Sequence, residues 1–261
     1  MQVIQPIEQR STNFGRPFKA LWHMPDMTVA RLTLESYFRS GWLWAEFVLV
    51  LLCFAALFFP FRVYTAGFYG TSNLALGAIA ILGTTIMVRQ TIGARTYLVL
   101  SRLSSRASYS RGLMLATALL RVPLLIFMLV LVLITQQLID PSASSLLIGI
   151  IGLLPNCIVV AVLTVVLSSP MATRLKRIIF LAWLAVVLFA QSPVFWLPEA
   201  LISVLRVASL PLLPLIACYN ISVTGTIGLA GALGLVMEVV YVVALALLAG
   251  HWLERRELLL Y

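Results

Sequence analysis

The chain has 261 residues, 62% of them apolar and only 10% charged, with 18 Lys and Arg against nine Asp and Glu. Soluble domains run nearer about 45–50% apolar and about 25% charged, and a chain of this length has too little interior to hide so much hydrocarbon behind a polar surface. A soluble enzyme, a disordered tail and a disulfide scaffold are thereby excluded. An all-α integral membrane protein is expected, because the apolar runs are long and lack strand-like alternation.

In a soluble domain the net charge of +9 would point to nucleic acid. In a membrane chain the question is where the charges fall, because Lys and Arg collect in cytoplasmic loops and near anionic lipid. No nucleic-acid partner is expected. Cys53, Cys157 and Cys218 lie scattered in apolar stretches, and His23 and His251 are the only histidines, so neither a metal centre nor a disulfide framework is indicated.

Residues 1–40 are polar to mixed, with Pro6, Pro17 and Pro25 discouraging an early helix. No basic segment followed by an apolar core and a cleavage site is present, so this segment is expected to be cytoplasmic. From Asp26, a plausible N-cap, residues 27–39 read as an amphipathic helix at the headgroup boundary or packed on other protein. Its apolar face would be Met27, Ala30, Leu34, Tyr37 and Phe38, and Glu35 stands in the favourable order for a pair with Arg39.

Six spans are expected, at about 41–61, 73–88, 112–138, 145–167, 178–197 and 226–252, with a short polar loop at 62–72. Glu46 sits near the start of the first span, flanked by Trp42 and Trp44 as interfacial aromatics. Residues 198–225 are apolar but contain Arg206, Pro211 and Pro214, and read as re-entrant or surface-lying outer helices. With both termini cytoplasmic, fifteen of the 18 Lys and Arg fall inside; Arg62 and Arg206 fall outside, and Arg121 lies within the third span. The whole chain, 1–261, is expected to form one transmembrane domain, multi-pass, in the cytoplasmic (inner) membrane if the source is prokaryotic.

No phosphate-cradling Gly-x-x-x-x-Gly-Lys-Ser/Thr, no Gly-x-Ser-x-Gly and no His-Glu-x-x-His occurs. Nine acids and two histidines assemble few acid/base pairs, so catalysis by this chain is not expected. Three intramembrane polar residues stand out for a translocation path or a dimer interface: Glu238, Asn156 and Arg121. Each has a plainer reading. Glu238 would lie only about a turn below the outer surface if its span began near Gly234; Arg121 would snorkel to the cytoplasmic headgroups; Asn156, next to Pro155, would bond a neighbouring helix. Gly225, Gly228, Gly231 and Gly234 form a small-residue face for close helix contact, or a flexible backbone at a re-entrant turn, with packing the favoured reading over a substrate site.

The basic segment 89–111 is the most patterned loop, with Tyr97, Leu98, Leu100, Leu103 and Tyr109 interleaved with Arg95, Arg102, Arg106 and Arg111. It reads as a docking surface for a partner or as an interfacial helix on anionic headgroups. Leu100-Ser101-Arg102-Leu103-Ser104-Ser105-Arg106, then Tyr109 and Gly112, resembles a pattern in permease subunits of type-2 ATP-binding-cassette (ABC) exporters. That family's pattern runs Leu-Ser-Arg-Pro-Val-Ser-Arg, then Tyr, then Gly-Lys, after the second span. Leu103 replaces the Pro, Ser104 the aliphatic residue, Arg111-Gly112 inverts the flanking basic residue, and the acidic residues usual upstream are missing. The likeness extends to the amphipathic N-terminal helix, the six spans, the outer helices before the last one and the tail Glu254-Arg255-Arg256-Glu257.

The resemblance implies a membrane path formed by two permease subunits, identical or not, and a separate ABC ATPase subunit that binds ATP and Mg. No cofactor is implied in this chain. The 89–111 segment would be the coupling helix, contacting the ATPase through Arg95, Tyr97, Leu100, Ser101, Arg102, Ser105, Arg106 and Tyr109. The scarcity of intramembrane charge mildly favours a hydrophobic or amphiphilic substrate. The alternatives are a non-transporting scaffold that docks a cytosolic partner through the same loop, and, more weakly, an intramembrane lipid-modifying enzyme.

Overall fold

The computed structural model describes residues 25–91, 106–139, 141–168, 175, 178–183 and 209–255. They are almost entirely helical: α1 (Pro25–Arg39), α2 (Trp42–Leu57), α3 (Thr65–Thr91), α4 (Arg106–Ile134), α5 (Ala143–Val166), α6 (Leu213–Thr224) and α7 (Leu229–Arg255). Helices α3, α4, α5 and α7 are each long and apolar enough to cross a membrane, and α1 with α2, bent by 71° at their junction, pass together as a fifth. An all-helical chain with several membrane-spanning helices is therefore what the sequence builds. Of the span expected at 178–197, only the helical residues 178–183 lie within the described part.

The helices begin and end differently from the apolar runs. α3 starts at Thr65, not 73, so the expected polar loop at 62–72 shrinks to the residues before Thr65. The Thr, Gly and Ser residues of 65–72 lower the hydropathy, yet Phe68, Tyr69, Gly70 and Ser72 are buried against other helices, which holds this stretch helical. α4 begins at Arg106 rather than 112 and ends at Ile134, and residues 138–139 form a strand instead of helix. The expected 89–111 loop accordingly loses 89–91 to α3 and 106–111 to α4. α2 is shorter than the span expected at 41–61, α5 begins two residues before 145, and α7 starts at Leu229.

Gly41 makes the sharp junction between α1 and α2. Its φ of +78° lies in the left-handed region that a side chain disfavours, and its N–H closes the turn on the Phe38 carbonyl at 3.2 Å. α1 buries Val29, Ala30, Thr33 and Tyr37, and leaves Leu32 and Phe38 exposed. The buried stripe is thus rotated from the expected one, because α1 packs on α4 rather than presenting its whole apolar face to lipid. The Asp26 carbonyl and the Val29 side chain lie where a side chain of Gly112 would otherwise stand. Asp26 Oδ2 pairs with Arg111 Nε at 3.0 Å. Glu35 pairs with Arg31 at 2.8 Å instead of with Arg39, and the Arg31 hydrogen bond and charge hold its carboxyl below the usual range.

These contacts define one end of the bundle, where Ser40 bonds Gln90 at 3.2 Å, Arg111 meets Asp26, and Gly250 packs on Ala107. It is called the basic end below. At the far end Val63–Tyr64 pairs in parallel with Leu138–Ile139, and Gly225 lies beside Ser145. Ser142 caps α5 there, its hydroxyl accepting from the Ser145 N–H at 3.1 Å. The far half of the core is filled by the stacked run Phe54, Phe58, Phe68 and Tyr69, with neighbouring ring centroids 5.1–6.0 Å apart. The Tyr69 hydroxyl donates to the Leu146 carbonyl at 2.7 Å, tying α3 to α5.

α6 is not surface-lying. Leu215, Cys218, Tyr219, Ile221 and Ser222 are buried, and the helix sits among α3, α5 and α7 with its C-terminus at the far end. Its backbone approaches α5 so closely that Gly152 faces the Cys218 carbonyl and the Ser222 N–H directly. Ala217 fills the space beside Gly234 of α7, and Ile221 that beside Gly231, so these two glycines pack closely as expected, whereas Gly228 meets nothing within 4 Å and Gly225 makes the left-handed turn after α6.

Candidate functional site

Two groups of polar side chains are buried in the helix bundle. The first joins four helices. Tyr37 of α1 donates its hydroxyl to Glu46 Oε1 at 2.7 Å, and Glu46 of α2 lies 3.5 Å from the Arg121 guanidinium of α4. The three residues are 1%, 4% and 3% exposed. The Arg121 Nε–H also donates to the Thr117 carbonyl, one turn back on its own helix, at 3.3 Å. Gly83 of α3 completes the site, because a side chain there would occupy the space of the Glu46 carboxylate.

Burial pushes the Tyr37 phenol up, and the Glu46 carboxylate beside it pushes the same way, so Tyr37 stays protonated and remains a donor. The 3.5 Å separation makes the Glu46–Arg121 contact an ion pair rather than a short hydrogen bond. Both terminal nitrogens of Arg121 and Glu46 Oε2 lack hydrogen-bond partners among the described residues. Arg121 was expected to snorkel to the headgroups; it turns inward instead, because Glu46 offers a counter-charge within the bundle. Tyr37, Gly83 and Thr117 were not singled out from the sequence. The available signal was two lone charges of opposite sign, Glu46 and Arg121, each inside an apolar span.

The second group lies where α5, α6 and α7 meet. Glu238 is 1% exposed and Asn156 fully buried; neither carboxylate oxygen nor either amide atom finds a hydrogen-bond partner among the described residues. The Cys218 thiol stands beside Glu238, at best a weak donor. Asn156 lies one turn beyond Gly152 on the α5 face that meets α6. Pro155 cannot donate to the Ile151 carbonyl, leaving one more acceptor in the same turn.

α7 starts at Leu229, so Glu238 lies about 14 Å along the helix at about 1.5 Å per residue, well inside its apolar stretch. An ionised carboxylate there costs about 2.5–3.5 kcal/mol on insertion scales. Of the three path candidates, Arg121 is thus paired with Glu46, whereas Asn156 and Glu238 stay without hydrogen-bond partners among the described residues.

Of the residues expected to couple to an ATPase, Arg95, Tyr97, Leu100, Ser101, Arg102 and Ser105 lie outside the described residues. Arg106 is the first residue of α4. Tyr109, within α4, is 8% exposed and packs in the core at the basic end. Among the described residues no cluster of three His, Cys, Asp or Glu is placed to hold a metal. Compared with protein families, curated proteins and solved structures, the chain matches none.

Proposed function

We propose that the chain is the membrane-spanning permease subunit of an ATP-driven ABC exporter, with six spans, both termini cytoplasmic, and two permease subunits forming the path. The ATPase, with its ATP and Mg, is a separate subunit; this chain is not itself an enzyme. The observation that carries the reading is the patterned segment from Leu100 to Gly112, taken with where its flanks lie. Gln90 on one side of the loop meets Ser40, and Arg111 on the other meets Asp26, so both flanks abut the ends of the amphipathic α1. A push on the loop reaches α1 and α4 through those contacts, and Tyr37 and Arg121 carry it on to Glu46 of α2. The exposed Trp42 and Trp44 at the start of α2 suit a headgroup boundary at this end.

Charge reversal in the loop tests the coupling role. Arg102→Glu with Arg106→Glu is expected to leave insertion and folding intact while abolishing stimulation of the partner's ATP hydrolysis by substrate, measured in proteoliposomes. Full partner binding and coupling in that variant would contradict the coupling role of the segment.

A further inference from the structure

We propose that Glu238 and Asn156 form a recognition site for the cationic head of an amphiphilic substrate, an inference that rests on the permease reading and adds the substrate's chemistry to it. A buried carboxylate with neither hydrogen-bond partner nor counter-ion among the described residues is completed by a positive charge, and Asn156, likewise buried and unpartnered on the α5 face that meets α6, offers a further acceptor oxygen. Arg121, a buried cation of the bundle, is already engaged with Glu46.

The occupant follows from what surrounds these groups. A bare divalent ion would need about six oxygen ligands or a cluster of carboxylates and imidazoles, and no such cluster exists among the described residues. An ammonium bearing alkyl groups needs less: one negative charge, one amide oxygen and apolar walls. Access is lateral. Val236, Met237, Val239 and Val240, on either side of Glu238 in α7, are exposed apolar residues of a membrane-spanning helix, so the tail of an amphiphile can remain in lipid while its head reaches the carboxylate. Beside this site α7 meets α6 through small side chains, Gly234 against Ala217.

The test uses the full chain purified into lipid nanodiscs and two fluorescent probes with the same dodecyl tail, one ending in trimethylammonium and one in sulfonate. Wild type is expected to bind the ammonium probe about tenfold more tightly, a preference that Glu238→Gln removes and Glu238→Asp retains in part. Photo-crosslinking of a diazirine-bearing ammonium probe to the unaltered protein is expected to label peptides of α5 and α7 around Asn156 and Glu238, a readout independent of how any variant folds. Equal binding of both heads by wild type, an unchanged preference in Glu238→Gln, or labelling confined to other helices would overturn the site. Charge-selective binding by a chain that recruits no ATPase would instead refute the permease reading and leave the site standing.

Discussion

Glu46→Leu is expected to destabilise the folded bundle by about 4 kcal/mol, and Arg121→Met by about 2 kcal/mol. The asymmetry comes from what each substitution leaves behind. Without Glu46, the Arg121 guanidinium remains buried and charged with no acceptor except the Thr117 carbonyl at 3.3 Å, and a guanidinium cannot shed its proton in a protein. Without Arg121, the carboxyl keeps the Tyr37 hydrogen bond at 2.7 Å, and a carboxyl can be neutralised by taking up a proton. The double variant Glu46→Leu/Arg121→Met is expected to cost less than Glu46→Leu alone, since replacing a buried pair by apolar residues is often close to neutral. Reversible unfolding of the four proteins in bicelles, read as a double-mutant cycle, checks this. Additive losses would show that the 3.5 Å contact couples the helices only weakly.

Gly152→Ala is expected to cost about 3 kcal/mol, the upper range for forcing extra volume into a packed interior. A methyl group there would stand 2.5 Å from the Cys218 carbonyl oxygen and 2.7 Å from the Ser222 nitrogen. Both obstacles are backbone atoms, so no side-chain rotation relieves the clash and α5 and α6 must separate. Gly77→Ala is the control. It lies within α3 with nothing within 4 Å of the new methyl group, and the lower backbone entropy of alanine is expected to stabilise the helix by about 0.5–1 kcal/mol. Unfolding of both variants by one method gives the comparison; equal effects would show that α6 is not seated on α5 as described.

The class of structure was legible because composition alone forces it: so apolar a chain has nowhere to bury its surface except in lipid or against itself. Helix ends were not, and the reason is local. Hydropathy finds the stretch of helix that faces lipid, whereas α3 continues back through residues such as Phe68, Tyr69 and Gly70 and α4 through Ser108, Tyr109 and Ser110, which are buried inside the bundle. α1 lying over Gly112 is the clearest instance. The inward turn of Arg121 was hidden for a similar reason. Snorkelling describes a lone helix in lipid, and only the packing of α2 against α4 brings Glu46, 75 positions earlier in the chain, to its side. Glu238 and Asn156 were visible as isolated polar residues in apolar runs; what the sequence could not show is that α6 is inserted between the other helices and that both residues stay unpartnered there.

The permease reading stands on a separate ATPase, and one measurement addresses it directly. The tagged chain, purified from its native membrane in mild detergent, is assayed for ATP hydrolysis and its stoichiometric companions are identified by mass spectrometry. The account predicts a companion subunit that carries a phosphate-binding loop, in one-to-one ratio with this chain, and ATP hydrolysis that is lost when that loop's lysine is replaced. A chain that purifies without any ATP-hydrolysing companion, or with a stoichiometric partner that lacks such a loop, would contradict it.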